Sequence, residues 1–278
     1  NIYRYEDILE RRDSMAQVII NELDQFKKEY GRKRRTAIEN AEEAVYKEKE
    51  IEETQVVFLM DRFGYAKTVD LSVYERNREA ADTENRFVFP CKNTGRICLF
   101  TDTGQLHTIK VMDLPYGKFR DKGVPIDNVS NFNSEKESIV YITSQTELNL
   151  RQVVFVTAQS MMKLVDGGEF DVSKRTVAAT KLSEEDRVVS VMSVLEQRNI
   201  VLQTREGFFL RFSLEEIPEK KKGAVGVRGM KLGQKDEVEH VYYTLNGVET
   251  SIEYKGKKVL LNNLKAAKRD TRGTKIRV

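Results

Sequence analysis

The stretch Val57-Phe-Leu-Met-Asp-Arg-Phe-Gly64-Tyr-Ala-Lys67 decides the fold. Four apolar residues, a short break, a glycine and a second run give the pattern of a strand, a tight turn that needs positive φ, and a returning strand. The pattern recurs as Ile97-Cys-Leu-Phe-Thr-Asp-Thr-Gly104-Gln-Leu-His107, Val153-Val-Phe-Val-Thr-Ala-Gln-Ser160-Met-Met-Lys163 and Ile200-Val-Leu-Gln-Thr-Arg-Glu-Gly207-Phe-Phe-Leu210. A weaker fifth copy is Ile252-Glu-Tyr-Lys-Gly256-Lys-Lys-Val259, and Ser160 alone replaces glycine at the turn. The turns lie 40, 56, 47 and 49 residues apart, so the hairpin is kept while the intervening loops vary. An apolar residue follows each turn: Leu71, Leu114, Phe170, Ile217 and Leu264. Four units then close on a third phrase, Gly123-Val-Pro-Ile126, Ala179-Thr-Lys-Leu182, Gly229-Met-Lys-Leu232 and Gly273-Thr-Lys-Ile276.

Five such units, of about four strands each, cannot bury their faces singly; arranged radially they share a core and expose only short edges. The expected architecture is mainly β, a five-bladed propeller-like disc over residues 56–278, with closure depending on strands exchanged between neighbouring units. Ahead of it, apolar residues at Ile2, Tyr5, Ile8, Leu9, Met15, Ile19, Leu23, Phe26 and Tyr30 recur mostly in steps of three or four, with no glycine or proline between them. This spacing predicts one long amphipathic helix in residues 1–35, stopped by Gly31 at C′, whose apolar seam calls for a partner helix. Residues 36–55, rich in Glu and Lys, form the expected connector.

Of the 278 residues, 33% are charged and 40% hydrophobic, as in a soluble globular protein, and neither a signal peptide nor a membrane span is expected. The cytoplasm is the expected location. Cys91, Cys98, His107 and His240 are the only cysteines and histidines, and their spacing suits no zinc site, so Cys98 is expected as a small buried thiol. A P-loop, a nucleophile elbow and a metal cluster are absent from the sequence, and Glu184-Glu185-Asp186 suits a solvated turn. No catalytic residue, cofactor or metal is assigned.

Charge is distributed unevenly. Residues 219–278 hold 15 basic and 7 acidic residues, whereas residues 51–218 hold 21 and 25. Basic residues also cluster between the second and third markers of successive units: Lys118, Arg120 and Lys122; Lys174 and Arg175; Lys220, Lys221, Lys222 and Arg228; Lys268, Arg269 and Arg272. With Lys67, Lys231 and Lys275 from the repeat phrases they make the candidate DNA-binding set. Equivalent loops of a radial repeat fall on one rim, and an arc of positive charge suits duplex DNA held by phosphate contacts without sequence reading. Solvated loop charge is the plain alternative for any single loop. The acidic 51–218 stretch and the helical seam favour a second class, a protein-interaction platform. Tyr116 and Phe119 are the only aromatics in these loops, too few for a single-strand stacking platform.

The phrases Glu29-Tyr-Gly-Arg-Lys-Arg-Arg-Thr36, Gly64-Tyr-Ala-Lys-Thr, Gly226-Val-Arg-Gly-Met-Lys-Leu232 and Arg272-Gly-Thr-Lys-Ile276 resemble the C-terminal part of bacterial type IIA topoisomerase A subunits. The resemblance implies the end of a coiled-coil arm followed by a β-pinwheel whose basic rim bends non-sequence-specific duplex DNA. It also implies a nucleoid-associated enzyme whose catalytic tyrosine, ATP and magnesium belong to other parts; its partners would be the ATPase B subunit together with the rest of the A subunit. Gyrase A subunits carry a Gln-Arg-Arg-Gly-Gly-Lys-Gly-like box after the first blade; here that place reads Tyr74-Glu-Arg-Asn-Arg78-Glu-Ala-Ala, more like topoisomerase IV. A gyrase-like wrapping domain is the alternative.

Overall fold

The computed structural model describes residues 2–36 and 51–277, which fall in two units separated at Glu50/Ile51. In the first unit the expected single helix is two, α1 (Ile2–Glu10) and α2 (Arg12–Tyr30). Arg11 leaves the helical region at φ −113°, ψ 118°, and the Asp7 carboxylate accepts from Ser14 Oγ at 2.6 Å and pairs with the Arg11 guanidinium. The break has no glycine or proline to signal it; side chains competing for Asp7 accompany it. Gly31 does end α2, but as the C-cap at φ −63°, not as a left-handed C′ residue. Ile2, Tyr5, Leu9, Met15, Ile19, Leu23, Phe26 and Tyr30 are all exposed. Most of the predicted connector lies outside the described residues.

The second unit is built of short strands in chain order: β1 (Gln55–Asp61), β2 (Tyr65–Asp70), β3 (Asn85–Lys92), β4 (Arg96–Thr101), β5 (Gln105–Lys110), β6 (Tyr116–Gly117), β7 (Val124–Pro125), β8 (Ile139–Ser144), β9 (Gln152–Thr157) and β10 (Met161–Asp166). They continue as β11 (Thr176–Ala178), β12 (Val188–Ser193), β13 (Asn199–Thr204), β14 (Phe208–Ser213), β15 (Val227–Arg228), β16 (Val238–Thr244), β17 (Ser251–Tyr254), β18 (Lys257–Leu260) and β19 (Thr274–Lys275). Blade 1 orders its strands β3-β1-β2-β6 with β7 also on β2, blade 2 β8-β4-β5-β11, blade 3 β12-β9-β10-β15 and blade 4 β16-β13-β14-β19. The fifth unit is the two-stranded hairpin β17-β18, so among the described residues it is not a four-stranded blade.

Each blade completes its sheet with a strand from the unit that follows. Strand β11 lies beyond the blade 3 hairpin in sequence yet pairs with β5 of blade 2, and β15 and β19 do the same for blades 3 and 4. The exchange has a recurring latch. The turn-residue carbonyls of Gly64, Gly104, Ser160 and Gly207 accept from the backbone N–H groups of Ile126, Ala179, Gly229 and Ile276, at 2.9, 2.8, 2.7 and 3.3 Å. Strands β3, β8, β12 and β16 pack against one another in succession, which puts them toward the common axis and the exchanged strands on the outer edge.

First strands of the blades are buried along nearly their whole length because both of their faces are covered. Alternate residues go to opposite interfaces, as strand geometry requires. Ile97 and Leu99 join blade 1 residues Phe58 and Met60, while Cys98 and Phe100 join Val153 and Phe155 of blade 3. Val154 and Val156 pack with Ile200 and Leu202 of blade 4, whose Val201 and Phe209 face Ile252 and Leu261 of the fifth unit. The remaining face of blade 1, Val57 and Leu59, is covered by α3 (Leu71–Arg76) and α4 (Arg78–Glu84). Those two helices are the segment in which the resemblance placed the gyrase box. Cys91 and Cys98 are buried, and burial pushes both thiols up to about 12.

Candidate nucleic-acid interface

Pairing with the outer strand of each blade sets the register of the basic loops. Tyr65↔Pro125, Met161↔Arg228 and Phe208↔Lys275 are equivalent partners, as is the shared edge of Ala178 with Gln105. The loops 116–123, 219–226 and 266–273 therefore superpose without a gap: Lys118 with Lys221 and Lys268, Lys122 with Val225 and Arg272, and Gly123 with Gly226 and Gly273. This register corrects the third marker. Gly226, not Gly229, is the counterpart of Gly123 and Gly273, because Gly229 occupies the latch position of Ile126 and Ile276. Lys231 is consequently three residues beyond the station of Lys275. The glycine is required where the loop crosses the blade: a Cβ at Gly226 (φ +103°) would stand 2.5 Å from the Met162 carbonyl oxygen, and one at Gly273 (φ +76°) 2.4 Å from that of Phe209.

The second loop differs. Phe170 and Thr176 are separated by six residues where the other markers and glycines are separated by nine, and Thr176 extends the exchanged strand in place of a glycine. His107 accompanies this change. Its Nδ1 lies 2.9 Å from Thr176 Oγ1 and its Nε2 2.6 Å from Glu137, while Asn131 Nδ2 donates to the same threonine oxygen. The sequence had shown no partner for this histidine. The ring is 3% exposed, and Thr103 also donates to Glu137, so the assembly reads as a polar strut beneath the loop.

Two lysines occupy the position of His107 in blades 1 and 3. Lys67 Nζ donates to the carbonyls of Phe119 and Asp121, and Lys163 Nζ to those of Lys222 and Ala224, at 2.6 and 2.7 Å, with Lys221 at 3.3 Å. In the loop register these are the same two carbonyls. Lys163 is 1% exposed, lies 5.4 Å from the Phe155 ring, and burial pulls its ammonium down to about 8 against the pull of Glu169. Burial likewise lowers Lys67. Lys67 is therefore tied to the inside of its loop and is removed from the outward-facing set. Lys163 escaped the sequence reading because only the turn-plus-three spacing it shares with Lys67 marks it.

Of the remaining candidates, Lys118, Arg120, Lys122, Lys174, Arg175, Lys220, Lys231 and Lys268 are exposed and form no ion pair among the described residues. Lys221 is exposed and reaches Glu169 at 3.2 Å. Lys222 is half-buried, giving its N–H to the Glu169 carboxylate and its Nζ to the Glu169 carbonyl. Arg228 forms a two-pronged pair with Asp270, whose carboxyl it holds below the usual range. Arg269 is spent on the Glu216 and Arg228 carbonyls. Arg272 and Lys275 both lie over the Phe208 ring, at 4.7 and 5.4 Å. Asp186 accepts from Gln159 N, so the acidic Glu184–Asp186 run is a turn contact, and no metal-holding cluster occurs among the described residues. No helix of the described residues is long and apolar enough to cross a membrane.

The repeat and the fold have counterparts among known proteins. Residues 151–194 and 198–244 each match the family described as DNA gyrase C-terminal domain, beta-propeller; each match spans one blade's own three strands and the intervening loop. The A subunit of DNA gyrase from Lawsonia intracellularis is 30% identical over 84% of the chain, and that from Metamycoplasma arthritidis 25% identical over 98%. The chain spans about 30% of the length of each. In structure it is similar to a C-terminal domain of DNA topoisomerase IV (TM-score 0.71, 23% identity, 81% of this chain and 73% of that one). It is also similar to the DNA gyrase A C-terminal domain (TM-score 0.54, 16% identity, 80% and 76%). Repeat, fold and relatives point the same way: two blades of this chain match the DNA gyrase C-terminal beta-propeller family, its relatives are gyrase A subunits, and its fold is that of the C-terminal domains of topoisomerase IV and gyrase A.

Proposed function

We propose that the β unit binds duplex DNA along its outer edge and bends it, presenting a segment to the strand-passage core of a type IIA topoisomerase. The supporting observation is the recurrence of one loop with a lysine at one position, Lys118, Lys221 and Lys268, on blades 1, 3 and 4. Stations repeated along an edge suit a curved phosphate backbone, and bending a site by 40–90° costs on the order of 1–6 kcal/mol, which several such contacts offset. Cleavage, ATP and magnesium would belong to the B subunit or to the remainder of the A subunit. Replacing Lys118, Lys221 and Lys268 by alanine should lower duplex affinity and reduce the slope of log affinity against log salt by about 0.9 per lost phosphate contact. Unchanged binding by the triple variant, or no binding by the parent domain at low ionic strength, would count against the proposal.

A bending role is favoured over gyrase-like wrapping. Helices α3 and α4 stand where the box would be, with Glu75, Glu79, Asp82 and Glu84 on them, and the fold is nearer to topoisomerase IV domains. The curated relatives, by contrast, are gyrases. Ligation of nicked circles on the domain separates the two: a wrapper shifts the linking-number distribution, and a bender leaves it centred.

A further inference from the structure

We infer that Lys163 is a positioning residue for DNA binding: a buried ammonium that holds a basic loop in one conformation from inside rather than touching DNA, with the half-buried Lys67 making the equivalent bonds in blade 1. This role rests on the DNA-binding reading, and three observations carry it. The two lysines sit at the same place, three residues after the turn, and donate to equivalent carbonyls of loops that otherwise differ in sequence, Lys118-Phe-Arg-Asp-Lys122 and Lys221-Lys-Gly-Ala-Val225. Lys163 is 1% exposed, so a phosphate cannot reach it. The loop it organises holds Lys220 and Lys221 exposed on the outside. Two or three backbone carbonyls turned inward toward one point would repel each other without a cation between them, and pointing them inward is what turns the alternate side chains out.

Blade 4 supplies the control. Its turn-plus-three residue is Leu210, buried in the same setting, and loop 266–273 is held instead by the Arg228–Asp270 pair and by Arg269. The position therefore accepts leucine without loss of the blade, and Lys163→Leu is expected to fold while leaving the Lys222 carbonyl unpaired and the Ala224 carbonyl with only the 3.5 Å bond from Thr180 Oγ1.

The test uses the whole chain with a fluorescent duplex of about 40 base pairs, read by anisotropy across a salt series at pH 7 and pH 9. Lys163→Leu should bind on the order of ten-fold more weakly at equal salt, and its salt slope should fall by more than the ~0.9 of a single contact, because Lys220 and Lys221 lose their placement together. The charged groups facing Lys163 are Glu169, Lys221 and Lys222. With its proton lost above about pH 8, the parent should weaken between pH 7 and 9 by more than Lys163→Leu does, a difference that a merely structural role would not produce. Parallel pH profiles, or affinity lost only in proportion to unfolded protein, would overturn the assignment. Amide exchange without DNA separates its failure from that of the functional reading. Faster exchange at residues 220–225 in Lys163→Leu supports the strut even if the parent binds no duplex, and unchanged exchange removes it even if the parent binds.

Discussion

The third loop, 219–226 on blade 3, and the fourth, 266–273 on blade 4, share length, attachment and backbone path but are held from opposite sides. Lys163 holds the third from within, with Lys221 and Lys222 also on Glu169, and its Lys220 stays exposed and unpaired among the described residues. The fourth has Leu210 beneath it and is held by its own surface charges: Arg228 on Asp270, and Arg269 on the carbonyls of Glu216 and Arg228. A count of basic residues would rank the two loops as equals. Their hydrogen bonds separate the charges used to build a loop, such as Lys222, Arg228 and Arg269, from those left exposed and unpaired among the described residues, such as Lys220 and Lys268.

The sharpest way to break the comparison is to remove what the two loops share. Gly226→Val would force a β-branched residue to φ +103° with its Cβ 2.5 Å from the Met162 carbonyl, and should cost at least about 3 kcal/mol, measured by urea unfolding. A β-branched residue stands at the equivalent place in the second loop, Thr176, because the backbone there belongs to a regular strand.

The turns beneath the two loops differ at the left-handed position. Ser160 adopts φ 64° where Gly207 has 85°, and its hydroxyl accepts from Met230 N at 2.8 Å in a buried site. The hydroxyl offsets the strain of the left-handed backbone by pairing an amide that would otherwise be unsatisfied. Ser160→Ala should therefore lose about 2 kcal/mol, while Ser160→Gly exchanges the lost bond for relief of strain and should stay within about 0.5 kcal/mol of the parent.

Between the two blades, Glu237 takes Arg187 from the unit of blade 3 and Arg205 from blade 4, and the Arg187 hydrogen bond leads in holding its carboxyl below the usual range. A carboxylate with a lowered folded value stabilises above its unfolded value and loses that contribution as pH falls through the folded one. Glu237→Gln should cost about 1 kcal/mol near neutrality, the scale of a partly exposed pair. The difference from the parent should close below pH 4.5, and a gap that persists there would show that shape, not charge, joins the blades.

The hairpins and their radial stacking were legible because each depends on a local, period-two signal: the run Ile200-Val-Leu-Gln-Thr is buried on both faces, and Gly64, Gly104 and Gly207 stand at the positive-φ turns. Strand exchange was legible in outline only. A two-residue strand such as Val227–Arg228 carries no periodicity, and Gly226 and Gly229 compete for one marker until pairing with Met161 and Met162 settles the register. Of the candidate site, the exposed lysines and Lys67 were found from the sequence, whereas Lys163 and the loop-holding role of Lys67 needed carbonyls 52 to 61 residues away that only folding assembles. The break at Arg11 carried no signal in residue type.

The gentlest change acts on the fourth loop alone. Asp270 sits at φ 65° and is 37% exposed in its side chain beside Arg228 at 54%, so the pair itself adds little stability. Asn tolerates the left-handed backbone nearly as well as Asp, which makes Asp270→Asn a change of charge with little change of fold. It removes an anion from the edge and loosens Arg228 from its carboxylate. If the fourth loop is a weaker station because its arginines are occupied, duplex affinity should rise about threefold and the salt slope steepen by about 0.9. Unaltered affinity would mean that Arg228 is held by the exchanged strand rather than by Asp270, and that the two loops differ in shape as well as in the charge they leave free.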